Sequence, residues 1–283
     1  MILRRYLGQI IPLFYALWSV VLPGFAQYGS GASSNTGIFP WPQGKRAALS
    51  LTFDDARPSQ IDAGLPLFER QRARVTFYVS PRNLFQRLPQ WRQAVLAGHE
   101  IGNHSLTHPC TGNFDFSRTN ALEDYTLGRI SKDIEEADTI LFTQLGVQTS
   151  GFAYPCGQTF VGEGALVKSY VPIIARRFRS GRLWLSEDAN NPMRCDLAQL
   201  LGVEMDGKSF GDLRPMLDHA IRRGYWLVLA GHEIGGTGRQ TTSTNTLNAL
   251  CEYAANPTNG LWLDTVDAIA RHIIENRPKL HSK

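Results

Sequence analysis

Short apolar runs alternate with stretches of helical spacing along most of this chain. Residues 47–53 form an apolar run that ends in two carboxylates, Asp54 and Asp55. Residues 75–79 (Val-Thr-Phe-Tyr-Val) are rich in strand formers. Further strands are expected at 100–104, 151–154, 200–205, 226–230 and 261–263. Between them the spacing predicts helices over 60–71, 89–97, 122–145, 169–178 and 212–223. Pro172 falls in the first turn of its helix, where a missing N–H costs nothing. Thr265 is placed to cap a last helix over 266–274. Strands separated by helices imply parallel pairing with crossover connections. No internal repeat or inner linker divides the chain, so a single α/β domain is expected. The polar residues gather where strands end, which is where a barrel or an open doubly wound sheet carries its site.

The first 26 residues follow another pattern. Arg4 and Arg5 precede an apolar run over 10–22, broken by Pro12. Gly24 and Ala26 then supply small residues ahead of Gln27. This reads as a secretory signal over 1–26, removed on export to a periplasmic or extracellular space. The apolar run is shorter than the roughly 18 residues a spanning helix needs, so no stable membrane span is expected after processing. Residues 27–44 read as a flexible leader, 45–276 as the domain and 277–283 as a tail.

Composition narrows the function. Hydrophobic residues make up 43% of 283, enough for a large core. The formal charge of +4 includes Arg4 and Arg5, so the processed chain keeps 27 basic against 25 acidic residues. That balance gives no case for nucleic acid. No Gly-rich loop follows the first strand, which counts against nucleotides. Cys110, Cys156, Cys195 and Cys251 permit three complete pairings, or free thiols. Their spacings match no cysteine-rich zinc motif. Nothing in the sequence bears on oligomeric state.

Three segments carry chemistry. Asp54 and Asp55 close the first strand, where the turning chain lets both reach one cavity. His104 and His108 stand four residues apart, a spacing that brings two imidazoles to one divalent ion. His232 ends the run 226–230 and belongs on the same edge, free to give a proton to a leaving group. One Asp and two His leave open positions on a metal for water and substrate.

Thr52-Phe53-Asp54-Asp55 and Gly98-His99-Glu100-Ile101-Gly102-Asn103-His104-Ser105-Leu106-Thr107-His108-Pro109 closely resemble the first two motifs of the polysaccharide deacetylases, the carbohydrate esterases with a NodB-type homology domain. Tyr154-Pro155 with Gly157, and Leu227 to His232, look like weaker forms of the third and fifth. The resemblance spans about residues 45–275. It implies an irregular, incomplete (β/α) barrel and metal-dependent hydrolysis of N-acetyl, sometimes O-acetyl, groups on a carbohydrate polymer or oligosaccharide. Carried over, Asp54 is the general base, Asp55, His104 and His108 are the metal ligands, and His232 is the general acid. The metal implied is divalent, zinc foremost. Tyr154, Pro155 and Cys156 would form the oxyanion and substrate wall, with the Cys156 N–H as the oxyanion donor.

Two departures stand out. The family's third motif has an Arg two residues before the Pro, pairing with the base, and a Tyr after it; Ala153 and Cys156 stand there. Arg57, Arg82, Arg182 and Arg194 are candidates to supply the missing cation. The fourth motif's Asp-Trp aligns with Ser209 and Phe210. Asp206 either replaces that carboxylate or is a turn residue before Gly207. The substrate wall is therefore expected to be remodelled. Two rival readings keep the metal site: hydrolysis of a small amide or imide, and a non-catalytic carbohydrate-binding descendant. The export reading is checked by intact mass: protein recovered from its native host should begin at or near Gln27. A mass that retains residues 10–22 would make the segment an anchor.

Overall fold

The computed structural model describes residues 39–278. The expected signal over 1–26, and the leader as far as residue 38, lie outside the described residues. Phe39 and Trp41 are buried with their rings 4.7 Å apart, against Trp226, Val266 and Ile269. The Trp41 indole donates to the Gly224 carbonyl at 3.0 Å. The packed domain thus includes residue 39, earlier than the expected start at 45, because two aromatic rings bury more apolar surface there than a leader could leave exposed. At the other end Arg277, assigned to the tail, donates to the Pro192 and Cys195 carbonyls.

The core is one parallel sheet of eight strands: β1 Ala47–Asp54, β2 Thr76–Val79, β3 Glu100–Asn103, β4 Gly151–Ala153, β5 Ser180–Arg182, β6 Val203–Glu204, β7 Trp226–Gly231 and β8 Leu261–Leu263. Their order is β5-β4-β3-β2-β1-β7-β6, with β8 pairing the start of β1. All eight residues of β1 are buried, as a parallel strand covered on both faces requires. The helices around it are α1 Leu65–Gln71, α2 Leu88–Leu96, α3 Leu127–Leu145, α4 Val171–Arg177, α5 Phe210–Arg223, α6 Thr244–Ala255 and α7 Val266–Asn276. The sheet curls into an incomplete barrel. Its two edges meet at Leu200, whose N–H donates to Gly181 at 2.7 Å and whose carbonyl accepts from Leu183 at 2.8 Å. Among the described residues no helix is long and apolar enough to cross a membrane.

Local chemistry sets the helix ends. Thr126 caps α3 through its side chain, so the helix starts at Leu127 rather than at 122, and Gly146 closes it with φ 68°. Thr265 caps α7 as expected. Ser209 and Asp212 form a reciprocal capping box at the start of α5. The helix expected over 60–71 is a π-helical turn, Gln60–Gly64, followed by α1. Two of the elements named above went unforeseen. α6 buries Leu247, Leu250, Cys251 and Ala254, a spacing that signals a helix. β5 is only Ser-Gly-Arg and carries no apolar signal.

The barrel interior is tight where β3 passes β2. A Cβ on Gly102 would lie 2.6 Å from Cε1 of the fully buried Tyr78 ring. Gly102→Ala should therefore destabilise the fold by about 1–3 kcal/mol through overpacking. The urea midpoint measures this; an unchanged midpoint would mean that the Tyr78 ring gives way freely.

Candidate active site

The strand ends converge on one cavity of about 1110 Å³, lined by Asp54, Asp55, His104, His108, Asp206 and His232 among others. Adjacent residues of a strand point to opposite faces, so Asp54 and Asp55 need a special backbone to share a cavity. They have one. Asp55 and Ala56 both take left-handed conformations, with φ 77° and 55°. Such residues cost on the order of 1–3 kcal/mol each and persist only where the surroundings hold them. Here the Asn83 amide donates to the Asp55 carbonyl at 2.9 Å. The buried Gln60 amide donates to both the Asp54 and His232 carbonyls, tying the end of β1 to the end of β7.

Asp55, His104 and His108 form a convergent set, their ligand atoms all within 4.8 Å of one another. Nε2 of each histidine lies 3.5 Å from the same Asp55 oxygen. Tetrahedral ligands with bonds of about 2.1 Å stand about 3.4 Å apart, so the set fits a small divalent metal ion. Nδ1 of His104 donates to the Ala153 carbonyl at 2.9 Å, which fixes the tautomer and leaves Nε2 for a metal. Buried Asp133 on α3 holds the connecting loop by accepting from the Leu106 N–H at 2.8 Å and from Thr107. Arg57 clamps the other Asp55 oxygen at 2.9 and 3.1 Å. Burial pushes the Asp55 carboxyl up, but His104, His108, His232 and Arg57 together bring it down to about 2. Burial and then the neighbouring His104 lower the His108 imidazole to about 4. Both groups are thus in the deprotonated form a metal requires at neutral pH.

A second pair sits beside the set. The Asp54 carboxylate accepts from the fully buried Arg182 guanidinium through both oxygens. Burial pushes Asp54 up, yet Arg182, with His104 and His232, holds it below its ordinary range. Of the four arginines named as replacements, Arg182 is the one that pairs with Asp54. Arg57 pairs with Asp55 and Glu233, Arg82 lines the cavity without touching Asp54, and Arg194 lies away from it. Ala153 and Arg182 are register partners on β4 and β5. The cation therefore sits at the same level of the barrel, one strand over.

His232 has its own carboxylate. Nδ1 pairs with Asp206 at 2.7 Å, and the other Asp206 oxygen accepts from the His232 N–H and the Thr242 hydroxyl. Asp206 is thus more than a turn residue. Burial pushes the His232 pKa down, but the Asp206 hydrogen bond and the Asp54, Asp55 and Asp206 charges raise it above ordinary histidine.

Phe210 is not in this cavity. As the first residue of α5, it packs on Tyr253 at 5.5 Å, because Ser209 is engaged as the cap. The aromatic wall is Trp184 instead, its ring 4.8 Å from His232 and edge-on to it. Gly157, with φ 68°, makes room: a Cβ there would lie 2.8 Å from the Trp184 backbone nitrogen. Tyr154 and Cys156 line the cavity, whereas Pro155 is buried behind it. Cys110 and Cys156 are joined as a disulfide; Cys195 and Cys251 are free.

Residues 42–163 match the family model for polysaccharide deacetylase. Solved structures share the whole fold. A probable polysaccharide deacetylase from Pseudomonas aeruginosa PAO1 superposes with a TM-score of 0.59 at 14% identity, covering 85% of this chain and 95% of that one. A putative polysaccharide deacetylase from Mycobacterium smegmatis gives 0.57 at 15% identity, covering 87% and 98%. The chain has the fold of the polysaccharide deacetylases and matches their family model over residues 42–163. Among curated relatives, the uncharacterized protein YlxY of Bacillus subtilis (strain 168) is 26% identical over 44% of this chain and 33% of its own length. The chain spans no more than a third of the curated relatives it matches. The stretch matched to the polysaccharide deacetylase model holds Asp54, Asp55, His104, His108 and Cys156. It stops before Arg182, Asp206 and His232.

Arg182→Met should expose the value of the cross-barrel pair. A depressed Asp54 pKa stabilises the fold above the unfolded-state value near 3.8, and that stabilisation fades as pH falls through the folded value. The variant should thus lose about 3–5 kcal/mol at pH 7, and less in acid. Ala153→Arg combined with Arg182→Ala should recover part of the loss. Equal urea stability of Arg182→Met and wild type at pH 7 would show that the pair contributes nothing.

Proposed function

We propose that this protein is a polysaccharide deacetylase: a secreted or periplasmic, metal-dependent hydrolase that removes acetyl groups from a carbohydrate polymer or oligosaccharide. The carrying observation is the three-ligand set of Asp55, His104 and His108, flanked in one cavity by an ion-paired carboxylate and a carboxylate-held imidazole. A divalent ion held by that set, zinc by the chemistry of its donors, supplies Lewis acidity toward a water and an acyl carbonyl.

The chain's own groups then divide the proton work. Arg182 keeps Asp54 ionised, so the carboxylate accepts the proton of the attacking water. The Cys156 N–H, on a turn with φ 53°, is the donor assigned to the developing oxyanion. Asp206 holds Nδ1 of His232 and leaves Nε2 as the nitrogen that gives its proton to the leaving group. The raised His232 pKa favours the protonated form that can give this proton. An amine leaving group needs protonation more than an alkoxide on a sugar does, which favours N-acetyl over O-acetyl substrates.

Released acetate from N-acetylated oligosaccharides, measured beside metal content, tests the reading. Asp54→Asn should keep its metal and lose about 10²–10⁴-fold in kcat, because an amide cannot accept the proton. His104→Ala should lose the metal as well. If Asp54→Asn lost its metal while Asp55→Asn kept it, the two carboxylates would have exchanged roles. Above the raised pKa of His232, kcat/KM should fall as the proton donor is lost.

A further inference from the structure

Both histidines of the three-ligand set are tied to the end of β4, but by different means. His104 uses its Nδ1 to reach the Ala153 carbonyl at 2.9 Å. Nδ1 of His108 faces a sulfur instead: Sγ of Cys110 lies 3.7 Å away, and Cys110 is bonded to Cys156, three residues beyond Ala153. The His108 ring therefore stands between the Asp55 carboxylate on one nitrogen and the disulfide on the other. Metal-bound imidazoles usually give the outer nitrogen to a carboxylate, carbonyl or water. At His108 a disulfide fills that place.

The backbone here needs a brace. His108 and Cys156 are both left-handed, with φ 51° and 53°. The bridge joins them through Cys110, which is fully buried and fixed by Ser117 on both its N–H and its carbonyl. Cys156 also lines the cavity. Other ties between the two loops are hydrogen bonds, such as the Thr111 N–H to the Gln158 side chain at 2.8 Å and the Gly162 N–H to the Leu122 carbonyl at 2.9 Å. These hold the loops near one another without fixing the His108 ring.

We propose that the Cys110–Cys156 disulfide is a positioning element of the metal centre, which holds His108 in ligating geometry and sets the Cys156 turn beside it. The proposal rests on the metal-centre reading above but needs no acetylated substrate. Reduction by a phosphine in water breaks the S–S bond, gives two thiols and oxidises the phosphine. The eight-strand sheet pairs without this link, so the barrel is expected to survive while the centre loosens.

The test is the zinc affinity of Cys110→Ala/Cys156→Ala against wild type, by competition with a chelator. Far-UV circular dichroism and thermal unfolding are followed on the same samples. We expect at least a tenfold weaker zinc affinity in a variant of unchanged secondary structure, with kcat lowered more than KM is raised. A lower melting temperature with unchanged zinc affinity would make the bridge a stability element and overturn the proposal. Should the variant not fold, folded wild type is reduced, alkylated with iodoacetamide, freed of reductant and titrated in its place. The same tenfold loss is expected there, and unchanged affinity overturns the proposal equally. Absence of acetate release from every form would count against the deacetylase reading and leave the zinc comparison intact.

Discussion

A carboxylate buried inside a barrel stays ionised away from water only with a cation beside it. The Asp54–Arg182 pair meets this demand, and much of the site is arranged around it. Arg182 reaches across the barrel from β5, so the pair binds the edge of the sheet to its central strand. Its guanidinium also lies over the Tyr78 ring at 5.1 Å, which fills the interior next to β3. Neither charge survives comfortably alone at that depth. The pair therefore couples the ionised state of Asp54 to the closing of the barrel.

The register explains how the cation came to stand where it does. Parallel strands in register present their side chains at one level, and Ala153 and Arg182 are such partners. A guanidinium on either strand is offered to Asp54 at about the same height. Geometry thus constrains the level and the charge but leaves the choice of strand open. Asp206 shows the same latitude, meeting His232 from a turn before α5 rather than from the position aligned with the family's fourth motif.

Legibility in the sequence followed the range of the interactions. Asp54, Asp55, His104, His108 and His232 could be read because each lies within a few residues of its own strand end, in a local pattern. Helices α3, α5 and α7 could be read from their spacing, with Thr265 legible as a cap, whereas α6 was missed although its spacing was there. Arg182 stood only as one of four candidates, because Ser-Gly-Arg has no strand signal and its partner lies 128 residues away. Trp184 was missed for a similar reason: its place depends on Gly157 making room from another loop. Phe210 was misassigned because alignment by spacing ignored Ser209 as a helix cap, which turns the next side chain toward Tyr253. The disulfide was one of several open pairings until the fold brought two loops together.

The meeting of the two sheet edges at Leu200 bears on a different property. An open parallel sheet ends in strands whose outer N–H and C=O groups can template pairing with another molecule. β5 would be such an edge, short and rich in free backbone. Leu200 occupies its outer groups at Gly181 and Leu183, and the Ser186 N–H finds the Gly202 carbonyl at 2.9 Å. The chain thereby seals its own vulnerable border with a few residues of irregular backbone. The stretch that completes the barrel thus also removes free backbone groups on which a second copy could pair.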